Sequence, residues 1–247
     1  MTLQEIKTLV DYISNKSLYG NTMSENEYNN VLEIVNVKFF KNKLEEFKLK
    51  VANGLNEDML SINMLNEFKS ISFPTISGGE FSIPADYQYF ISLYGTYNGE
   101  KKKVRLIDED EFSNYFGNIM ASNLTHTPVV VLRSNFYVVP NDITNLQFAY
   151  YKLPAQPIYD YYIDVNGNTV YLTAGATHVW VTGEIDSSGT RHTTGDSNYS
   201  STTVELEYNQ DLHWEFTLAI LEFLGVKLSR EDLFQYSKAI QTEEKQI

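Results

Sequence analysis

The sequence predicts an α+β protein: N- and C-terminal helices form a helical bundle, and a central β-rich, sandwich- or barrel-like antiparallel region carries one long exposed loop. Three observations predict it. Apolar residues recur at helical spacing up to about residue 53 and again from residue 209. Between those stretches they alternate with polar residues in short runs. Asn-Gly pairs at 98–99 and 166–167 punctuate the alternating part as hairpin turns do. The expected organisation is a helical region over 1–69, a β-rich region over 70–208 that includes the loop 183–203, and C-terminal helices over 209–247 packing with the N-terminal region.

Thr2 and Glu5 stand at capping-box spacing, and Leu3, Ile6, Leu9, Val10 and Ile13 continue as an apolar stripe. Gly20 closes this helix. Ser24 and Glu27 repeat the box ahead of a long helix to about Asn53, its stripe carried by Val31, Val35, Phe39, Phe40, Leu44, Phe47 and Val51, with Gly54 as the stop. At about 1.5 Å per residue that helix is roughly 40 Å long. A shorter helix is expected over 57–68. From Ser70, the residues Ile71, Phe73, Ile76, Phe81 and Ile83 alternate around a Ser77–Glu80 turn and read as a hairpin. Strands over 91–94 and 103–107 flank Asn98-Gly99. Asp108 to Asn118 reads as a short helix opening on acids. Further strands are expected at 129–132, 136–139 and 146–151, with Pro140 and Pro154 at ends. Residues 159–165 and 169–172 flank the third turn. The stretch 183–203, rich in Gly, Ser and Thr, reads as an exposed loop whose core, 187–197, the monomer can lose without harm to folding. The helix from about 209 to Gly225 is apolar nearly all round, which predicts a buried helix with Trp214 inside. Ser229 and Asp232 open a last helix bearing Leu233, Tyr236 and Ile240.

Composition excludes several classes of function. The formal charge is −13, so phosphate backbones and anionic lipid are repelled. From Leu153 to His213 eight acids face one base, Arg191, a net −7. Without cysteine there is no disulfide and no thiolate chemistry. No signal-peptide pattern and no apolar run of membrane-spanning length is present. Synthesis in a cytoplasm is expected.

The motifs that carry chemistry are weak. His126, His178, His192 and His213 are too far apart in sequence for a helical metal motif, and each reads as a satisfied histidine. Asp164-x-Asn166-x-Asn168 imitates the opening of a calcium loop, but Gly175 stands where the bidentate glutamate is needed, so a turn is the better reading. Asp108, Glu109, Asp110 and Glu111 could form an acid/base site of a hydrolase. Helix-start acids explain them more simply. Lys101, Lys102, Lys103 and Arg105 form a basic patch after a hairpin turn, and a solvated turn or an inter-subunit partner for the acidic segment suits it better than phosphate binding. Tyr150, Tyr151, Tyr159, Tyr161 and Tyr162 could stack sugars, which would make a carbohydrate- or receptor-binding β module of a tail or surface fibre. Strand packing and a subunit interface suit so acidic a region better. No enzyme, cofactor or metal site is expected.

The strings FSIPADYQYF (81–90), RLIDEDEFSNYFGN (105–118), TPVVVLRSNFYVVP (127–140) and LQFAYYKLPAQP (146–157), followed by LHWEFTLAILEFLGVKLSREDLFQYSKAI (212–240), stand in a recognisable order. In that order the chain resembles the head-to-tail connector and ring (tail adaptor) proteins of tailed bacteriophages, of the crAss-like podovirus type. The resemblance implies a dodecameric homo-oligomer ring in the virion neck, between the portal protein and other neck or tail ring proteins. Genome DNA would pass through its channel without sequence-specific binding, and no membrane is involved. The loop 183–203 has no counterpart in the family pattern and is expected to reach a neighbouring ring. A role in assembly assigns Phe39, Phe40, Tyr87, Tyr150, Tyr151, Tyr161, His192 and Tyr199 to subunit contacts.

Overall fold

The computed structural model describes residues 1–17, 23–54, 65–117 and 128–226. Gly20, residues 57–64 of the helix expected over 57–68, His126 and the last helix of Leu233, Tyr236 and Ile240 lie outside those residues; the end of the 57–68 stretch is a short 3-10 turn, Asn66–Phe68. The chain divides into two compact units, one of Met1–Lys43 with Ala155–Ile247, the other of Leu44–Pro154. The expected cuts were at 69/70 and 208/209. Residues 155–208, though built of strands, group with the helices.

In the first unit α1 (Leu3–Ser17) and the start of α2 (Glu25–Ala52) pack with α4 (Gln210–Phe223). Both capping boxes form. The N–H of Thr2 donates to Glu5 Oε2 at 2.8 Å and that of Ser24 to Glu27 Oε2 at 3.0 Å, which satisfies donors that no helical carbonyl can reach. Leu3, Ile6, Val10 and Ile13 of α1 and Leu32, Val35, Phe39 and Phe40 of α2 are all buried. Phe39 sits edge-on to Phe216 of α4 at 5.4 Å. Only one face of α4 is buried. Leu212, Phe216, Ile220 and Leu221 are inside, but Trp214 and Leu218 are half-buried and Phe223 is exposed, which corrects the expectation of a helix buried all round.

Four loops and short strands complete this unit. β8 (Tyr161–Ile163) and β9 (Thr169–Tyr171) form the hairpin expected at Asn166-Gly167, and β11 (Ile185–Asp186) adds to it in the order β11-β8-β9. β10 (Thr177–His178) pairs β12 (Tyr199–Ser200). The 183–203 segment is exposed over much of its length, as its composition predicts, and it supplies β11 and β12 to these small sheets. Asn29 fastens α2 to the strands with its side-chain amide. Its Nδ2 donates to the Tyr159 carbonyl at 2.9 Å and its Oδ1 accepts the Tyr159 N–H at 2.8 Å, as a neighbouring strand would.

The second unit is one seven-stranded sheet in the order β1-β7-β3-β4-β5-β6-β2. Its strands are β1 (Lys69–Ser72), β2 (Glu80–Phe81), β3 (Tyr87–Tyr97), β4 (Glu100–Ile107), β5 (Val129–Leu132), β6 (Phe136–Val139) and β7 (Thr144–Lys152). Each pairing is antiparallel except β4 with β5, so the sheet is mixed. Parallel neighbours need a crossover, and α3 (Glu109–Gly117) lies on that path. Asn98 and Gly99 take φ of +52° and +78°, the left-handed pair a tight hairpin requires, and join β3 to β4 with Tyr97 opposite Glu100. The hairpin expected around Ser77–Glu80 does not form as a strand pair. The turn is there, with Ser77 N–H to Glu80 O at 2.9 Å, but β1 pairs β7 and β2 pairs β6. Turn chemistry is local, whereas the partners, β6 and β7, lie far along the chain.

The sheet is curled. β2 and β7 stand five places apart, roughly 24 Å in a flat sheet at about 4.8 Å per strand. Yet Phe81 of β2 and Phe148 of β7 have ring centroids 5.6 Å apart. Phe81, Leu93, Val104, Val130, Phe136, Val138, Phe148 and Tyr150, from six strands, close into one interior cluster. Gly95 makes room in it. A Cβ there would stand 2.3 Å from Ile143 Cγ2 and 3.0 Å from Leu146 Cδ2. Gly95→Val is expected to cost about 1–3 kcal/mol by overpacking. A double variant, Gly95→Ala with Ile143→Ala, should suffer less from that clash than Gly95→Ala does alone. Urea midpoints check both statements.

Candidate functional site

The residues expected at subunit contacts are mostly inside the chain. Phe39, Phe40, Tyr150, Tyr151 and Tyr161 are all less than a tenth exposed, and Tyr87, His192 and Tyr199 are half-buried. The correction has a simple physical reason. A chain of this size needs large apolar surface for two cores, and these aromatic rings supply it. Phe39 and Phe40 hold α2 in the first unit. Tyr87 and Tyr150 line the interior of the curled sheet, and Tyr151 packs edge-on to Phe47 at 5.5 Å. Tyr159 and Tyr161 are likewise buried, so the tyrosine stripe is no sugar platform.

His192 and Tyr199 are brought together around a residue the sequence reading passed over, Trp180. Its ring is 2% exposed and stacks on His192 at 3.8 Å and 5°, with His178 edge-on at 4.7 Å and Tyr199 at 5.5 Å. Carboxylates pin this core. Asp160, 1% exposed, accepts from the N–H groups of Thr202 (2.8 Å) and Tyr161 (3.0 Å) and from the hydroxyls of Ser187 (3.1 Å) and Tyr199 (3.3 Å). Glu184 accepts the Val181 N–H at 2.7 Å and lies 2.8 Å from His178 Nε2. The 187–197 stretch is therefore anchored, and the expectation that it can be deleted without harm is withdrawn: the cut would remove His192 from Trp180 and Ser187 from Asp160.

Asp186 fixes the same stretch. Burial pushes its carboxyl up, but hydrogen bonds from the Ser188 hydroxyl, the His192 ring and the amides of Thr190 and Ser188 prevail and bring it from 3.8 to about 2. A depressed folded value stabilises the fold above the unfolded value near 3.9, and that support is lost as pH falls through about 2. The contribution is about 2 kcal/mol. Asp186→Asn should flatten the dependence of the urea midpoint on pH between about 4 and 2. An unchanged slope would contradict the assignment.

The other suspected centres also resolve into structure. Asp108 accepts the Glu111 N–H at 2.6 Å as a helix cap, Glu109 takes a bidentate pair from Arg133 at 2.7 and 3.0 Å, and Glu111 pairs with Arg105. Asp164 accepts the N–H groups of Asn166 and Asn168, both at 2.8 Å, within its own turn. Among the described residues no group of His, Asp and Glu is placed to hold a metal ion.

The edge strand β1 is turned the other way round. Ser70 and Ser72 lie opposite Tyr150 and Phe148, so they point to the concave inner face, while Ile71 and Phe73 point out. This is the reverse of the usual arrangement. Ser72 Oγ is buried without a hydrogen-bond partner, whereas Ile71 is 50% and Phe73 74% exposed. Phe73 borders an open groove with Thr96, Lys101, Ile143 and Gln147. The basic residues continue from it. Val104 faces inward, so Lys101, Lys103 and Arg105 lie in a row on the outer face, spaced about 7 Å apart. Lys101 Nζ is 2.7 Å from Gln147 Oε1 and 5.3 Å from the Tyr94 ring. Nothing in the alternating sequence announced this inversion, because alternation alone does not say which face is inside.

Compared with protein-family models the chain matches none, and comparison with curated proteins finds no relative.

Proposed function

We propose that the chain is a structural, non-catalytic subunit of a tailed-phage neck, assembling with copies of itself into a ring around the DNA channel between portal and tail components. The observation that carries this reading is the inverted β1. A strand edge that is unpaired among the described residues and sends Ile71 and Phe73 to solvent gains from burial against another chain. The acidic balance supports the same reading, since a wall of net charge −13 lets DNA pass without sticking. No described helix is long and apolar enough to cross a membrane. The order of segments that resembles phage connector proteins agrees with an assembly role.

The reading is tested by electron microscopy and native mass spectrometry of the purified chain, alone and mixed with a portal ring. Closed rings, free or seated on the portal, are expected. Monomers alone in both samples would refute it.

A further inference from the structure

The outward face of the second unit combines an aromatic anchor with cations: Phe73 and Ile71 lie beside Lys101, Lys103 and Arg105. The cations are unusual here. Residues 155–226 hold ten acids and one base, so the chain carries its complement elsewhere on its own surface. Three stretches of the first unit meet there. Gly183 N–H donates to the His192 carbonyl at 3.0 Å, the amides of Thr182 and Thr194 each donate to the other's hydroxyl at 3.1 and 2.9 Å, and a Cβ on Gly183 would lie 3.8 Å from Val165 Cγ1. This tip exposes Val165 at 58% and Val181 at 50%, with Val179 at 61% nearby. Asp164 and Asp196 flank the valines, each ionised and held by hydrogen bonds from its own turn. One surface is aliphatic and acidic, the other aromatic and basic, and both are open to solvent.

We infer that a second copy of this chain docks its Val165–Val181 tip, with Asp164 and Asp196, on the Phe73 groove and Lys101–Lys103 row of the first. The inference rests on the ring reading and names the contact that builds the ring. The two surfaces differ, so the contact is heterologous. Each bound copy offers a fresh tip and a fresh groove, and the series closes as a ring or continues as a filament. Apolar area drives the contact, and the charges set its register and its sensitivity to salt. Arg105 is already paired with Glu111, which leaves Lys101 and Lys103 as the cations that face the partner.

Sedimentation velocity of the full chain at low salt, with two variants, is the test. Wild type should associate without a portal and dissociate as salt rises. Lys101→Glu with Lys103→Glu, and separately Val165→Lys with Val181→Lys, should each weaken association about tenfold or more, with circular dichroism unchanged. Mixed in equal amounts, the two variants should give dimers and nothing larger, because only one intact groove and one intact tip meet. If wild type associates and either variant associates equally well, this contact is wrong and the ring reading stands. If wild type stays monomeric at low salt, this contact is also wrong, and the portal experiment decides the ring. Self-association untouched by the lysine pair, together with duplex DNA binding that the pair abolishes, would reassign the basic row to nucleic acid and overturn the proposal.

Discussion

Asp160→Ala is expected to cost the first unit at least ~4 kcal/mol. The carboxylate is buried and accepts from four donors, two of them backbone N–H groups. Removing it forfeits four hydrogen bonds to a charged group, worth about 1.5–3 kcal/mol apiece before relaxation, and leaves the buried Tyr161 N–H without that acceptor. Asp160→Asn should do roughly half the damage, since one amide oxygen survives while its NH2 group turns a donor on the Thr202 N–H. Both tryptophans, Trp180 and Trp214, belong to the first unit, so tryptophan fluorescence in urea reads this unit alone. A loss under about 1 kcal/mol for the alanine variant would show that Asp160 is dispensable.

Phe148→Ala should cost the second unit about 3–5 kcal/mol. Phe148 is fully buried and meets Tyr150 of its own strand at 4.9 Å, together with Phe136 at 5.0 Å and Phe81 at 5.6 Å, whose strands adjoin β7 only because the sheet curls. The vacated space cannot be filled by one neighbour moving, because each ring is itself held by others. Far-UV circular dichroism in guanidinium follows the transition. Phe148→Leu should keep most of the stability. A small loss for the alanine variant would mean that the interior collapses and the closure does not depend on this ring.

Much of the fold was legible because it is encoded locally. The boxes at Thr2/Glu5 and Ser24/Glu27 and the Asn98-Gly99 turn need only residues within a few positions, and physical chemistry leaves those residues few alternatives. Partner choice was not legible. Ser70 pairs Tyr150, and nothing near Ser70 names a residue so far along the chain. The candidate site divides in the same way. The basic row Lys101–Arg105 and the acidic segment stood out as charge. The tyrosines stood out as aromatic, but their type does not say whether a ring serves the core or a partner, and here the core claimed Tyr150, Tyr151 and Tyr161. Asp160 could have been suspected, as a charge set between Tyr159 and Tyr161. Trp180 sat among threonines, valines and a histidine that gave no sign of a core.

The division of the chain into an interrupted unit and a continuous one has a consequence for its birth on the ribosome. Leu44–Pro154 emerges as an unbroken stretch and holds its whole curled sheet, so it can fold as soon as it clears the exit tunnel. Met1–Lys43 cannot finish, because its partners start only at Ala155. At about 5–20 residues per second the helices bearing Leu3, Ile6, Val10 and Phe39 wait many seconds with their greasy stripes unmatched. During that interval the nascent polypeptide, more than the finished protein, is the form that needs a chaperone.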